Sequence, residues 1–334
     1  MSDQFNWAIL GTGKIARRFG TALNNLPDAN FLAIGSRSQA TCDAYADEYG
    51  VERRIVGYEN VAADPDIDIV YVGTPGVFHH RDVTMCLEAG KHVLCEKAMT
   101  INAAETADLI RLAQEKNLFL MEAMWTRFTP IHSRIRELLP TGIIGKPLGM
   151  LVNSLAAPPF DPANRFFDLN LGGGILLDMN SYGISWAHSL WGKPESIVGL
   201  PHIGETGTDD TSAVVLRFDG GQLASIVASQ ESYDVKDAII YGTSGRIEVH
   251  APWYKGSGMT IHRAGQEPET TLMPFEDGFN GYEYETREVM DCIRAGKIDS
   301  EIMPLSETLS IMQTMDTLRE EWGLVYPNDI EENN

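Results

Sequence analysis

The stretch Asn6-Trp7-Ala8-Ile9-Leu10-Gly11-Thr12-Gly13-Lys14-Ile15-Ala16 runs from apolar residues through a spaced pair of glycines into a helical pattern. Trp7 to Leu10 has no polar face, as expected of a strand covered on both sides in a parallel sheet. Gly11 permits a tight turn and Gly13 lets the backbone approach a phosphate. The helix that opens beyond them offers unpaired N–H groups to an anion. Ala16 in the third position is an accepted variant of the dinucleotide fingerprint. The plain alternative is a glycine turn that serves strand-to-helix packing alone, so the surrounding pattern has to decide.

That pattern repeats. Phe31 to Gly35 precedes a helical stretch from Thr41 to Tyr49, Ile69 to Gly73 precedes Arg81 to Ala89, and His92 to Cys95 precedes Ala103 to Glu115. Phe119 to Glu122 reads as one more strand. Strand and helix in alternation mean βαβ units with right-handed crossovers and a parallel sheet. Residues 1–124 are therefore expected to form an NAD(P)-binding Rossmann domain, a doubly wound α/β fold. The rhythm then changes. A helix near Ile131 to Leu139 leads to a strand at Met150 to Leu155 and a glycine-opened helix from Leu176 to Trp191. Strands follow at Ser212 to Phe218, Gln222 to Gln230 and Ala238 to Tyr241, punctuated by Asp219-Gly220-Gly221 and Thr243-Ser244-Gly245. Helices at Tyr282 to Ala295 and Leu305 to Trp322 close the chain. Residues 125–334 thus read as an α+β domain with a large, mostly antiparallel sheet.

Across 334 residues there are 47 acidic and 26 basic side chains, a net charge of −21. Such a surface repels nucleic acid and anionic membranes, and no basic patch offsets it. No apolar run approaches the about 18 residues needed to span a bilayer. The first strand begins too early to follow a signal peptide, so a cytoplasmic protein is expected. Cys42, Cys86, Cys95 and Cys292 show neither paired nor metal-ligand spacing and read as free thiols, with no metal site.

In an open α/β sheet, ligands lie beyond the carboxyl ends of the strands. Gly11, Thr12, Gly13, Lys14 and Ile15 supply the phosphate loop there. At the end of the second strand, where an NAD enzyme places a carboxylate on the ribose 2′-hydroxyl, stands Ser36-Arg37-Ser38. An arginine suits a 2′-phosphate, so NADP is the expected cofactor and NAD the second choice. Thr74 and Pro75 with His79, and Glu96 with Lys97, end further strands at the same edge. Asp178 and Tyr182 stand four apart in a helical segment behind Gly172-Gly173-Gly174, which lets the helix end approach a ligand or other backbone closely. Taken alone, such a pair is commonly a local hydrogen bond.

Taken together, Gly11 to Ala16, Thr74-Pro75 with His79, Ala89 to Lys97, Phe119 to Phe128, Gly172 to Tyr182 and Gly207-Thr208-Asp209-Asp210-Thr211 resemble the glucose–fructose oxidoreductase/inositol dehydrogenase (Gfo/Idh/MocA) family. The likeness is strongest to its dimeric dihydrodiol and NADP-dependent D-xylose dehydrogenase branch, over nearly the whole chain. It implies an oxidoreductase that moves a hydride between the nicotinamide and a secondary alcohol of a sugar or a cyclic trans-dihydrodiol. It also implies Lys97, Asp178 and Tyr182 as the catalytic set, and a homodimer formed through the second sheet. Tyr182 would exchange the hydroxyl proton, assisted by the Lys97 ammonium, while Asp178 orients hydroxyls. Lys97 as the acid/base itself is the alternative assignment. Trp125 and Phe279 are candidate walls for a substrate's apolar face, Arg165 a substrate contact and Arg127 a cofactor contact. Two departures stand out: Ala98 replaces the family's usual proline after Glu96-Lys97, and Asn180 replaces a common glycine, which would reshape the substrate pocket. Competing readings are a keto-sugar reductase of the anhydrofructose type, an NAD-dependent glycosidase of the same fold, and a dinucleotide-binding sensor without turnover.

Overall fold

A computed structural model describes residues 4–327 and Asp329. The chain forms two compact units, Met1–Trp125 with Glu276–Leu309, and Thr126–Phe275 with Ser310–Asn334.

The first unit holds six parallel strands: β1 (Phe5–Leu10), β2 (Ala29–Ser36), β3 (Arg53–Val56), β4 (Ile69–Val72), β5 (His92–Glu96) and β6 (Leu120–Ala123). Their order is β3-β2-β1-β4-β5-β6. The order reverses between β1 and β4, which puts the crevice for a dinucleotide beyond their carboxyl ends. Helices α1 (Lys14–Asn25), α2 (Gln39–Tyr49), α3 (Tyr58–Ala63), α4 (His79–Glu88) and α5 (Ala103–Lys116) make the crossovers. Every residue of β4 is buried, which explains its unbroken apolar run. Neither β3 nor α3 was expected from the sequence. Arg53-Arg54 hid the strand: β3 is a sheet edge, and its arginines pair outward, Arg53 with Asp64 and Asp66, Arg54 with Asp43 and Asp47.

The sequence reading groups residues 276–309 with the second part of the chain, yet they pack with the first unit. Helix α8 (Tyr282–Arg294) is tied to α1 and the turn after it. Asn25 Nδ2 donates to Gly278 O at 3.0 Å and to Glu283 Oε1 at 2.8 Å, Asn280 Nδ2 donates to Arg18 O at 2.8 Å, and Arg294 pairs with Asp28. A boundary drawn where the pattern changes does not reveal a segment that returns.

In the second unit, helices α6 (Pro130–Leu138), α7 (Ser181–Trp191) and the later part of α9 (Leu305–Trp322) accompany one sheet. Its strands are β7 (Pro147–Leu155), β8 (Ser196–Ile203), β9 (Asp209–Arg217), β10 (Leu223–Ser229), β11 (Ala238–Gly242), β12 (Gly245–Val249), β13 (Gly258–Arg263) and β14 (Glu269–Leu272). The order is β14-β13-β12-β11-β7-β10-β9-β8, and only β7 and β10 run parallel. One face is covered by helix. Gly183 of α7 lies against Ile226, Trp186 stacks on Trp253 at 5.2 Å, and Trp322 Nε1 donates to Gly199 O at 2.9 Å. The opposite face keeps alternate side chains of β8 and β9 exposed. Among the described residues no helix is long and apolar enough to cross a membrane.

Candidate active site

The phosphate loop is built as the glycines require. Gly11 has φ +95°, and a side chain there would meet Gly73 O at 3.0 Å, while Gly13 faces open space. Helices α2 and α5 are capped by Ser38 and Asn102, but α1 starts at Gly13 with no side-chain cap and no acid in its first turn. Its first N–H groups are thus left for an outside acceptor, and no carboxylate repels an anion there.

At the end of β2, Arg37 is exposed and has no ion-pair partner among the described residues, whereas the arginines of neighbouring β3 are all paired. The flanking serines are engaged. Ser36 Oγ lies 2.5 Å from Thr41 Oγ1, and Ser38 Oγ accepts from the Thr41 N–H at 3.4 Å, capping α2.

Thr74-Pro75 and Lys97-Ala98 leave β4 and β5 side by side, and His79 fastens the two exits together. Its Nε2 lies 2.8 Å from Thr74 O and its Nδ1 3.1 Å from Ala98 O. Burial pulls the imidazole pKa below its ordinary value, against the pull of those two carbonyls. His79, expected as a cofactor contact, therefore has both ring nitrogens on backbone oxygens, and its influence on a ligand runs through that backbone. Glu96 is also turned inward: Tyr71 donates to its Oε1, and the Lys97 N–H to its Oε2 at 3.2 Å. Lys97 is half-buried, and the Lys97–Ala98 peptide is cis. Trp125 stacks on Tyr282 at 5.0 Å, and Phe279 lies under the Arg287 guanidinium at 4.7 Å. The Cys95 thiol is buried and its pKa is pushed far up by desolvation, so it stays protonated.

In the second unit the glycine run closes against protein. A side chain on Gly173 would meet Arg165 O and Asp168 N at 2.8 Å, and one on Gly174 would run into Asp209 Oδ1. The helix expected from Leu176 onward begins instead with a π-turn, Leu176–Asn180, before α7. Asp178 lies on this wide turn and Tyr182 just beyond it, so a spacing of four is less than one full turn there. Arg165 Nη2 lies 3.5 Å from Asp178 Oδ1, an ion pair between the two. Tyr182 is 9% exposed, its ring stacked beside Tyr254 at 6.2 Å. Asn180 does not open into a pocket: it is buried, and its Nδ2 donates to Ser212 Oγ at 2.6 Å. Arg127 is likewise committed inward, with Nε on Ser185 Oγ and Nη2 on Ser185 O, both at 2.8 Å.

Two neighbours of this cluster were missed. Tyr254 follows a proline and a tryptophan with no motif to mark it. Asp209 stands next to a second acid, Asp210, a pairing that suggests exposure. It is instead fully buried, accepting the Leu176 N–H at 2.8 Å, and desolvation raises its pKa to about 8.

Comparison with known proteins agrees with this architecture. The profile of the oxidoreductase family with an NAD-binding Rossmann fold matches residues 5–124, and that of the GFO/IDH/MocA C-terminal domain matches residues 132–248. A trans-1,2-dihydrobenzene-1,2-diol dehydrogenase from Xenopus laevis is 34% identical over 331 residues, 96% of this chain and 99% of the relative. The human protein of that name is 31% identical over 335 residues, 97% and 98% of the two chains. Among solved structures, a 3-ketoreductase from Actinomadura kijaniata in complex with NADP and TDP-benzene superposes with a TM-score of 0.86 at 24% identity, covering 95% and 97% of the chains. An aldose–aldose oxidoreductase from Caulobacter crescentus gives 0.86 at 23% identity, again covering 95% and 97%.

Proposed function

The chain belongs to the Gfo/Idh/MocA oxidoreductase family, and from that premise we propose that it is an NADP-dependent dehydrogenase. Its substrate would be the secondary alcohol of a cyclic trans-dihydrodiol or of a D-xylose-like sugar. The observation that carries this reading is the shared crest of the first unit, where the glycine loop, Thr74-Pro75 and Lys97 all follow neighbouring parallel strands at the switch point. Full-length relatives named for a dihydrodiol support the substrate class.

The uncapped, acid-free start of α1 and the open space at Gly13 fit a pyrophosphate. Bound nicotinamide supplies the hydride acceptor. The chain's own groups do the rest. Thr12, Lys14 and Ile15 lend backbone to the pyrophosphate, and Arg37 meets the 2′-phosphate as a planar donor. Tyr182 takes the hydroxyl proton at its phenolic oxygen. A phenol near its ordinary pKa of about 10 is a poor base at neutrality, so the role needs a cation; we assign that cation to Lys97. Asp178, held by Arg165, orients the substrate hydroxyls. Trp125 and Phe279 offer rings to the substrate's apolar face.

Arg37→Asp tests the cofactor end. Losing a charge-assisted hydrogen bond and adding a repulsion should raise KM for NADP about 100-fold and leave KM for NAD within about threefold. Equal changes for both cofactors would remove the 2′-phosphate assignment.

The second unit is proposed to dimerise through the bare face of its sheet. By register, Val198 lies beside Val215, then Ser225, Leu151 and Ile239 in one row across five strands. Leu200, beside Ala213, is 77% exposed and Val198 60%. An apolar patch of this extent marks an interface. The double variant Val198→Asp with Leu200→Asp should run as a monomer by light scattering where the wild type runs as a dimer, because a two-fold interface would bury four unpaired carboxylates. A monomeric wild type, or a variant that stays dimeric, contradicts the assignment.

A further inference from the structure

Strand β9 grips the π-turn at both ends. Asp209 Oδ2 accepts from Leu176, the first residue of the turn, at 2.8 Å, and Ser212 Oγ accepts from Asn180, the last, at 2.6 Å. Just before the turn, Tyr326 donates to Gly173 O at 2.9 Å, and Gly174 closes against Asp209 Oδ1. That second carboxyl oxygen has no hydrogen-bond partner, and the residue is 0% exposed. A π-turn survives only where its surroundings hold it, and such turns gather at functional sites. A fully buried carboxyl with one oxygen unmet needs a reason of its own.

We propose that Asp209 is the positioning residue of the helix that carries Asp178 and Tyr182. By holding the first N–H of the π-turn it sets where those two side chains stand, touching neither substrate nor cofactor. The inference rests on the roles proposed above for Asp178 and Tyr182.

Charge state gives the idea a signature. Burial, aided by the neighbouring charge of Asp210, raises the Asp209 pKa to about 8, against the N–H groups of Leu176, of Asp209 itself and of Ile175. Among the described residues Tyr326 also faces it, its ring 4.6 Å from the Arg319 guanidinium; Arg319 in turn pairs with Asp329. The folded pKa thus exceeds the unfolded value of about 3.9. The contribution of Asp209 to stability is complete below pH about 4 and is lost as pH rises through about 8.

Asp209→Ala should lower kcat by about 10- to 100-fold, as small misplacements of reacting groups do, and leave KM for NADP within about twofold. Asp209→Asn keeps an oxygen for the Leu176 N–H and cannot ionise. It should restore kcat to within about threefold at neutral pH, abolish the alkaline inflection near pH 8 and flatten the fall of Tm between about pH 4 and 8. An Asp209→Ala protein with wild-type kcat, or a folded Asp209→Asn protein with a wild-type pH profile or no rescue, overturns the inference. Should the alanine variant not fold, asparagine against wild type carries the comparison. If the wild type oxidises no alcohol, the proposed reaction fails separately. The Tm profile needs no substrate, and an unchanged slope in Asp209→Asn then still overturns the inference.

Discussion

Tyr182→Phe is expected to lower kcat for alcohol oxidation by about two to four orders of magnitude, the usual worth of a placed proton-transfer group. In barrier terms that is about 3–5 kcal/mol. The substitution removes one oxygen and keeps the ring, which is 9% exposed and stacked beside Tyr254. Packing is therefore conserved, and the variant should melt within a few degrees of wild type. NADP affinity should hold within about twofold, because the phosphate loop and Arg37 are untouched; fluorescence titration reads this directly. A loss seen in kcat without one in cofactor binding assigns the phenol to the chemical step. Turnover at the wild-type level would remove Tyr182 from the mechanism.

Lys97→Met should cost about as much, and its pH profile separates the two assignments open for this lysine. Methionine keeps an unbranched apolar stem and removes the charge. If the ammonium favours phenolate at Tyr182, oxidation rises with pH through a phenol pKa lowered by that charge. Deleting the charge moves the rise toward the ordinary value of about 10, so activity returns in part at high pH. If Lys97 were itself the acid/base, raising the pH would recover nothing in Lys97→Met, and Tyr182→Phe would lose far less. Initial rates over pH for the two variants decide between these outcomes.

The first unit was legible because each of its devices is local. An apolar run, a glycine turn and an amphipathic helix repeat in order, and a parallel sheet follows from that order. What escaped was local too, but disguised: β3 carries paired arginines, since an edge strand can send charge outward. The return of residues 276–309 to the first unit rests on contacts such as Asn25 with Glu283, 258 residues apart, which no periodicity records.

The candidate site divides in the same way. Residue types suited to the proposed chemistry, such as Lys97, Asp178, Tyr182 and Arg37, stand out in the sequence only with the family resemblance beside them, and their roles are proposals. Residues that brace the surrounding backbone are harder to read, since the fold supplies their partners, backbone oxygens for some and distant side chains for others. His79 faces the carbonyls of Thr74 and Ala98, Asn180 bonds Ser212 in the sheet, and Arg127 bonds Ser185. Asp209 is the clearest case. Two adjacent acids suggest exposure, and only the fold reveals that the first is buried against the start of a helix.

The central claim is that this chain moves a hydride from a secondary alcohol to NADP with Tyr182 as the base. It is tested most directly by following NADPH absorbance with wild type and Tyr182→Phe across pentoses, hexoses, inositols and cyclic trans-diols. The account predicts NADPH formation by the wild type with at least one D-xylose-like sugar or trans-diol, and a loss of about two to four orders of magnitude in the variant. NADP binding without reduction by any of these alcohols, or equal rates in the two proteins, would contradict it.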